Sequence, residues 1–391
     1  MIMNKLLTDW LVEQKVVARL QTAVRCETVN PPGNELRLAR QIQELLQAHQ
    51  ISCELYEQAD GRANLIARRM GQKPGKCLVF CGHLDTVPIG NSAWSHPAFS
   101  GEIRDGRLYG RGSSDMKSGL LALLYAFIYF PQGVSDWQGE LVFAATFGEE
   151  TGSEGAKVMI EQNQLTHFDA MIIAEPTDNQ LITAHKGVMW VQIESKGRTA
   201  HASMPKEGVN AIEGLHLFLN RLQQIGWHSG QHPLLTEPTM TVTTINSGKK
   251  TNVIPDYGEM TIDIRTIPGQ DHQQIVQSMQ TIAADIMRSY PEMTVDVQLL
   301  LDLPPVMTSG DAELVNVAKA SLADHGISNV AERGANYFTD ASVFSQYGDG
   351  EIIIIGPGKP ELAHQTNEYV EVDTYLQAVH LYVEIAKRYL K

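Results

Sequence analysis

The chain has 391 residues, of which 43% are hydrophobic and 19% charged, and it has no low-complexity tract. A chain of this length is too long for one compact core, so two domains are expected. The formal net charge of −14 is spread along the chain. It argues against nucleic acid and anionic membrane as partners, because both require clustered Lys and Arg.

The sequence lacks the usual marks of export. The stretch from Met1 to Lys15 contains Asp9 and Glu13 and has no continuous apolar core, so no signal peptide is expected. The longest apolar run, residues 119–130, is too short to span a bilayer. The four cysteines match no zinc-ribbon spacing and are expected to be reduced. These features predict a cytoplasmic protein.

Strands and helices alternate in the first part of the chain. Apolar periodicity predicts strands over 51–57, 63–69, 77–81, 141–147 and 169–174, and helices over 8–25, 35–49, 120–130 and 153–162. The third of these helices is expected to begin near Asp115. Residues 82–115 show little periodicity, and long irregular loops inside compact domains are usually functional. The alternation predicts an α/β domain with a doubly wound, mostly parallel sheet.

The pattern changes after residue 183. Strands are predicted over 188–195, 239–246, 258–265 and 294–300, and helices over 210–225 and 270–289. This β-α-β-β-α-β order is that of a ferredoxin-like module. The α/β pattern then resumes with a helix over 312–325, a strand over 352–355 and a helix over 375–390. We therefore expect one α/β domain built from residues 1–183 and 299–391, with an α+β domain inserted at 184–298.

Metal-binding types of side chain follow several predicted strands. The residues are His83, Asp85, Glu149, Glu150, Glu175 and His364, together with Asp115 at the head of a helix. Each alone has an ordinary explanation; Asp115, for example, could simply cap its helix. Open α/β sheets, however, bind ligands outside the carboxyl ends of their strands. The joint placement therefore predicts a site at that edge.

The donor set suits divalent metal ions. Two histidines and several carboxylates without a thiolate fit Zn²⁺, Co²⁺ or Mn²⁺. The ligands suffice for two ions, with His83 and Glu175 on one, His364 and Glu150 on the other, and Asp115 bridging. Zinc is the expected ion, with cobalt or manganese as alternatives.

Five strings of sequence resemble one known family. They run from Gly82 to Pro88, from Gly110 to Lys117, from Gly148 to Glu150 and from Ala174 to Thr177, and the last surrounds His364. They resemble the di-zinc acylases and exopeptidases, a family that includes acetylornithine deacetylase, succinyl-diaminopimelate desuccinylase, aminoacylase and glutamate carboxypeptidase. The resemblance extends over nearly the whole chain. It implies a catalytic α/β domain with an inserted ferredoxin-like lid and dimerisation domain.

The resemblance also implies roles for individual residues. Glu149 matches the general base that takes a proton from water and later delivers it to the leaving amine. Asp85 would orient His83 and raise its basicity. His201 matches a histidine that reaches the partner subunit's active site and stabilises the oxyanion, which implies a homodimer formed through the inserted domain.

Other residues match the family's substrate contacts. Arg265 corresponds to the arginine that binds the substrate carboxylate, and a guanidinium fork suits that group. Asn252 corresponds to a second polar contact. The desuccinylases carry a Thr-Ser-Asp-Gly loop, of which only Thr339 and Asp340 remain here, with aromatics in place of glycine. Thr339 is a third candidate contact, and the changed loop weakens the case for a succinyl substrate.

The expected function is that of a metal-dependent amidohydrolase in amino-acid biosynthesis. It would remove an acetyl or succinyl group from an amino acid with a free carboxylate, as acetylornithine deacetylase and succinyl-diaminopimelate desuccinylase do. One alternative is a dipeptidase or carboxypeptidase that uses the same site on small peptides. Another is a non-catalytic relative that keeps the fold for binding. Loss of a metal ligand or of Glu149 would favour that last alternative, and none is lost.

Overall fold

The computed structural model describes residues 5–134, 136–225, 230–327 and 330–391. Its contacts divide the chain into two compact units. The first runs to Ala184 and also contains Met307–Gly334 and Thr339–Lys391. The second contains His185–Val306 and Ala335–Phe338. The second unit thus extends beyond the expected boundary at 298 and includes a short loop from the later part of the chain.

Strands and helices are distributed over both units. The strands in the described ranges are β1 (Cys53–Glu57), β2 (Ala63–Met70), β3 (Cys77–His83), β4 (Ile103–Arg104), β5 (Arg107–Tyr109), β6 (Glu140–Thr146), β7 (Ala170–Ile173), β8 (Ile182–His185), β9 (Gly187–Lys196), β10 (Thr239–Ser247), β11 (Tyr257–Thr266), β12 (Thr294–Leu303), β13 (Val306–Met307), β14 (Arg333–Ala335), β15 (Glu351–Ile354) and β16 (Tyr369–Glu371). The α-helices there are α1 (Lys5–Glu13), α2 (Val16–Arg25), α3 (Glu35–Ala48), α4 (Lys117–Gly133), α5 (Glu154–Glu161), α6 (Ala211–Leu222), α7 (His272–Ser289), α8 (Glu313–Asp324), α9 (Ala341–Phe344) and α10 (Val372–Tyr389).

The large sheet has a parallel centre. Its order is β1-β2-β6-β3-β7-β15-β8-β13, with β14 paired to β8. The four central strands, β6, β3, β7 and β15, are parallel to their neighbours in this group. The pairs β1 with β2, β2 with β6, and β8 with β15 are antiparallel. Strand β3 is buried along its whole length, as expected for a parallel strand covered on both faces. The expected α/β fold class is confirmed.

Helix α4 lies in the core of the first unit. Its first fourteen residues, Lys117 to Phe130, are all buried, and it packs against α10 and β3. A helix that is apolar on every side is a core helix, which explains its weak amphipathic pattern. No helix in the described ranges combines the length and apolarity needed to cross a bilayer. The buried position of α4 fixes Asp115 just before its first turn.

The structure corrects two sequence-based expectations in the first unit. The helix expected over 8–25 is two helices, α1 and α2, separated where Lys15 takes a left-handed φ of 54°. The loop expected to be irregular over 82–115 contains β4 and β5, which form a small antiparallel sheet with β16. These strands have two or three residues each, too few for a period-2 pattern to be recognised.

The second unit has the ferredoxin-like arrangement that the sequence predicts. Its antiparallel sheet has the order β10-β11-β9-β12, and helices α6 and α7 pack against the sheet. The alternation predicted in β11 is present, since Met260, Ile262 and Ile264 are fully buried among the apolar side chains of the two helices. The inserted α+β fold is therefore confirmed.

Candidate metal centre

Three parallel strands bring the candidate ligands to one edge of the large sheet. His83 is the last residue of β3, Glu149 and Glu150 follow β6, and Glu175 follows β7. Strand β3 lies between β6 and β7 in parallel register, so the three carboxyl ends are adjacent. The proximity of the three strand ends therefore follows from the fold.

The first cluster consists of His83, Asp115 and Glu175. The Nε2 atom of His83 lies 3.2 Å from Oδ1 of Asp115 and 3.6 Å from Oε1 of Glu175. One donor atom from each of the three residues lies within 4.8 Å of the others, and all three side chains are buried. This is the spacing of ligands around a single ion.

The second cluster consists of Asp115, Glu150 and His364. The Nε2 atom of His364 lies 3.0 Å from Oε2 of Glu150 and 3.4 Å from Oδ2 of Asp115. The donor atoms again lie within 4.8 Å of one another. Asp115 therefore directs Oδ1 to His83 and Oδ2 to His364, so that one carboxylate is common to both clusters.

The charges of these clusters suit cations. Asp115, Glu150 and Glu175 have no Lys or Arg nitrogen within 4 Å in the described part of the chain, and their ion-pair partners are the two histidines. Burial raises the pKa of Glu175 well above its usual range. Several buried carboxyl groups so close together are costly unless a cation or protons compensate them. The residues thus fit two divalent ions.

The histidines respond to the same charge. Burial alone would lower the pKa of His83, but the carboxylates of Glu175, Asp115 and Asp85 outweigh it and raise that pKa well above the usual range. Hydrogen bonds with Asp115 and Glu150 raise the pKa of His364 to about 10. Both rings therefore take up protons in a site that holds no metal ion, and a cation bound there would displace those protons.

Asp85 organises the loop that follows β6. It is fully buried, and its Oδ1 and Oδ2 accept the backbone N–H groups of Glu149 and Glu150, each at 3.2 Å. Oδ2 also accepts from Nδ2 of Asn30 at 3.1 Å. The Nδ1 atom of His83 lies 3.0 Å from the backbone oxygen of Asp85 and 3.4 Å from its Oδ1. The closer partner of the ring is thus the backbone, and the carboxylate mainly holds the loop.

Glu149 is buried beside the first cluster. Burial and the negative charge of Glu175 raise the pKa of Glu149 well above its usual range. A carboxyl group whose pKa is raised in this way holds a proton more readily than an exposed one, as a group that accepts a proton from water must.

Two further buried acids lie near the site, and sequence reasoning gave neither of them a role. Glu368 accepts the backbone N–H groups of Ser114 and Asp115 at 2.8 and 3.0 Å. Asp340 accepts a 2.6 Å hydrogen bond from Oγ1 of Thr146, and burial raises the pKa of Asp340 to about 6. In the sequence Glu368 does not differ from the many exposed acids, whereas Asp340 is noticeable only as a remnant of the loop that the desuccinylases carry. The sequence signal that could have pointed to Glu368 is its position four residues after His364.

Thr339 lies next to Asp340 in the first unit. Its side chain is buried, and its Oγ1 accepts the backbone N–H of Ala341 at 3.1 Å. Thr339 lies one residue before Asp340, the N-cap of α9, so this bond is a local turn contact at the start of the helix. The structure thus gives the hydroxyl of Thr339 a local partner.

Two candidates from the second unit lie together at one corner of that unit. His201 is exposed, and its Nδ1 lies 2.8 Å from Oγ of Ser203. The backbone N–H of Ala202 donates to the backbone oxygen of Asn252 at 3.1 Å, and His201 and Val253 form an isolated β-bridge. The structure therefore brings His201 and Asn252 close to each other.

Arg265 is held by a neighbour on its own strand. Its Nε and Nη2 donate to the two carboxylate oxygens of Asp263 at 2.8 and 3.0 Å. Trp190 Nε1 donates to Oδ2 of Asp263 at 2.9 Å, and the guanidinium carbon lies 5.9 Å from the ring centre of Phe338. Within the described chain, Nη1 makes no hydrogen bond. One edge of the guanidinium is therefore fixed, and the edge formed by Nη1 and Nη2 stays open.

Comparison with known proteins identifies the family. Residues 79–388 match the sequence profile of Peptidase family M20/M25/M40. A probable succinyl-diaminopimelate desuccinylase from Staphylococcus aureus (strain N315) is 31% identical, over 97% of this chain and 98% of that protein. An acetylornithine deacetylase from Myxococcus xanthus is 32% identical over 80% of each chain.

A solved structure shows the same fold. The crystal structure of a tripeptidase from Staphylococcus aureus superposes with a TM-score of 0.78 and 22% identity, over 97% of this chain and 98% of the other. The resemblance that the sequence motifs indicated is thereby confirmed. The chain belongs to Peptidase family M20/M25/M40 and is a hydrolase that acts on amide bonds.

Proposed function

We propose that this protein is a metal-dependent amidohydrolase that removes an acyl group from the α-nitrogen of an amino acid with a free carboxylate. The observation that carries the proposal is the position of Asp115, whose two oxygens face His83 and His364 in two overlapping clusters. Glu149 stands buried beside them. This arrangement provides two cation sites and one proton acceptor.

One ion would be held by His83 and Glu175, and the other by Glu150 and His364. Asp115 would be a ligand of both ions. When bound, two divalent ions, of which zinc fits this donor set best, supply Lewis acidity and lower the pKa of water. The remaining steps belong to the side chains of the chain itself.

Glu149 would move the proton. Its carboxylate takes a proton from the attacking water as the C–O bond forms, and then gives it to the amide nitrogen as the C–N bond breaks. The products are the free amine and the carboxylic acid. Asp85 keeps this base in place, because it holds the backbone N–H of Glu149. The step therefore depends on the geometry of the loop as much as on the pKa of the base.

Arg265 would bind the carboxylate of the substrate. The open edge of its guanidinium offers two parallel N–H donors, which match a carboxylate. The named relatives are a probable desuccinylase and a deacetylase, and both names fit an N-acyl amino acid. Aromatic residues, among them Phe338, replace glycine in the loop that the desuccinylases carry, and this change favours an acetyl group over succinyl.

The proposed enzyme is a cytoplasmic homodimer in which the second unit supplies the contact. Strand β10 is an edge of its sheet, with Ile245 exposed on it. Exposed edge strands pair readily with another chain. His201 and Asn252 would then act in the partner's site, where His201 donates a hydrogen bond to the developing oxyanion.

A substrate panel tests the proposal. Purified protein is stripped with a chelator, reloaded with Zn²⁺, Co²⁺ or Mn²⁺, and assayed on N-acetyl-ornithine, N-succinyl-diaminopimelate and simple dipeptides. We expect two ions per chain and the largest kcat/KM on an N-acyl amino acid. A preference for dipeptides would assign the alternative function of an exopeptidase. Binding of no metal, together with activity that chelators do not affect, would refute the proposal.

A further inference from the structure

Arg111 and Glu368 form an ion pair inside the first unit. Their side chains are 2% and 0% exposed, and Nη1 of Arg111 donates to Oε2 of Glu368. Burial of two charges costs free energy that their mutual attraction recovers only with good geometry and further hydrogen bonds. Oε1 of Glu368 and the two terminal nitrogens of Arg111 make such bonds, whereas Nε of Arg111 makes none within the described chain. These bonds end on segments that carry candidate ligands.

Glu368 holds the segment that contains Asp115. Its Oε1 accepts the backbone N–H groups of Ser114 and Asp115. These contacts fix the backbone at the residue whose two carboxylate oxygens serve both clusters. A shift of Asp115 would therefore alter the second cluster most, because His364 lies in a loop that the same ion pair holds, whereas His83 and Glu175 follow buried strands.

Arg111 holds the segment that contains His364. Its Nη2 donates to the backbone oxygen of His364 at 3.2 Å, and its Nη1 lies 3.4 Å from the backbone oxygen of Gln365. The side chain of His364 is 52% exposed, and its φ of 64° is in the left-handed region. Few side chains therefore pack around the imidazole. The position of His364 depends largely on the contacts that its backbone makes.

Arg111 also reaches the segment that follows β3. Its Nη2 lies 3.3 Å from the backbone oxygen of Pro88, five residues beyond His83. One guanidinium thus contacts two loops directly and a third segment through Glu368. A lysine has neither the planar fork nor enough donors to replace all these contacts.

We propose that Arg111 and Glu368 are a pair of positioning residues that fix the distance between Asp115 and His364, and so set the affinity of the ion held by Asp115, Glu150 and His364. The inference rests on the proposed function, because it takes these three side chains to be metal ligands. It assigns a role to two residues that do not themselves face the ion. The other ion is less affected, since His83 and Glu175 are anchored at the ends of buried strands.

Metal titration tests this role without an activity assay. Arg111→Lys keeps the charge and removes the fork, while Glu368→Gln keeps the size and removes the charge. Each variant is stripped and titrated with Zn²⁺ against a chromophoric chelator, and Co²⁺ absorption reports the coordination. We expect one ion to bind nearly as in the unchanged protein and the other to bind about 10- to 100-fold more weakly, the loss typical of residues that orient ligands.

Two further variants complete the design. His364→Ala removes a proposed ligand directly, so its Co²⁺ spectrum defines the singly loaded state. Lys319→Gln removes a partly buried ion pair with Glu332 in the same unit and should leave both affinities unchanged. Melting of the metal-free proteins, followed by circular dichroism, separates metal binding from folding.

Three outcomes overturn the inference or its basis. Two ions bound with unchanged affinity in both variants would show that the pair does not set the affinity. Equal weakening of both ions, with loss of the folded signal in the metal-free variants, would assign the pair to folding instead. Failure of the unchanged protein to bind two ions would refute the proposed function itself and is visible before any variant is compared.

Discussion

Oδ1 of Asp85 accepts the backbone N–H of Glu149 at 3.2 Å, across the junction between the loops that follow β3 and β6. Oδ2 does the same for Glu150. One buried carboxylate therefore fixes two consecutive residues, the proposed base and a proposed metal ligand. The bonds are to the backbone, so the side chains of both glutamates stay free for the site.

Asp85→Asn should impair the enzyme through this loop. An amide replaces one acceptor oxygen by an N–H₂ group, which then faces a backbone N–H and leaves a buried donor unpaired. We expect kcat to fall about 10- to 100-fold and metal affinity to weaken by a similar factor. Steady-state kinetics at saturating metal and chelator titration measure the two effects separately. Asn30→Ala removes the 3.1 Å contact to Oδ2 and a 2.9 Å hydrogen bond to Oγ1 of Thr151, but it leaves both backbone N–H groups paired with Asp85 and should have a smaller effect.

Much of the site could be predicted from the sequence, because several of the candidate ligands lie at or just after the ends of predicted strands. Parallel strands end at a common edge, so His83, Glu150 and Glu175 could be expected to meet once three buried strands were recognised. These strands have 4 to 7 residues, and the short length of their apolar runs favoured strands over helices. The structure adds the distances and the shared position of Asp115.

The rest depends on contacts that no local pattern encodes. Arg111 and Glu368 are 257 residues apart in the chain and meet only after the fold is complete. Asp263 lies two residues before Arg265 on the same strand, where alternating polar residues are usual. Nothing in the sequence shows that Asp263 fixes the guanidinium of Arg265. The small sheet of β4, β5 and β16 has strands too short for any periodicity. Tertiary packing determines these features.

Glu149→Gln should abolish hydrolysis and leave metal binding in place. The amide has nearly the same size but cannot accept the proton, so kcat should fall by a factor of about 10² to 10⁴. Both ions should bind as before, because Glu149 belongs to neither ligand cluster. Metal analysis of the gel-filtered variant checks this. Activity close to that of the unchanged protein would show that another group is the base.

Asp263→Asn should weaken substrate binding more than turnover. The aspartate fixes one edge of Arg265, and its loss frees the guanidinium to rotate away from the carboxylate. We expect KM to rise about 10-fold with kcat nearly unchanged, since a charge-assisted hydrogen bond contributes about 1.5–3 kcal/mol. A substrate in which an amide replaces the carboxylate should show no difference between variant and unchanged protein. If the variant shows the same rise in KM on the amide substrate, Arg265 does not bind the carboxylate of the substrate.

His201→Ala and Glu149→Ala should complement each other in a mixed dimer. If His201 acts in the partner's site, each homodimer is inactive, but a mixed dimer has one complete site. Unfolding and refolding an equimolar mixture should restore about a quarter of the activity, because half the dimers are mixed and one of their two sites is complete. The two variants refolded separately are the control. No recovery, with a dimer seen by light scattering, would place His201 in its own subunit's site.

His380 should make the metal-free protein less stable in acid. Burial and the charge of His325 lower the pKa of His380 to about 4, below the ordinary value of about 6.5. Between these values the unfolded chain binds more protons than the folded one, so stability is full above pH 6.5 and is lost as the pH falls towards 4. The free energy of unfolding falls by about 3 kcal/mol in all, because each unit of difference in pKa corresponds to about 1.36 kcal/mol.

Urea unfolding at pH 4.5 and 7.0, with chelator present, should therefore show a smaller pH dependence for His380→Gln than for the unchanged protein. The exposed His216→Gln serves as control, and equal pH dependence in all three proteins would contradict this role.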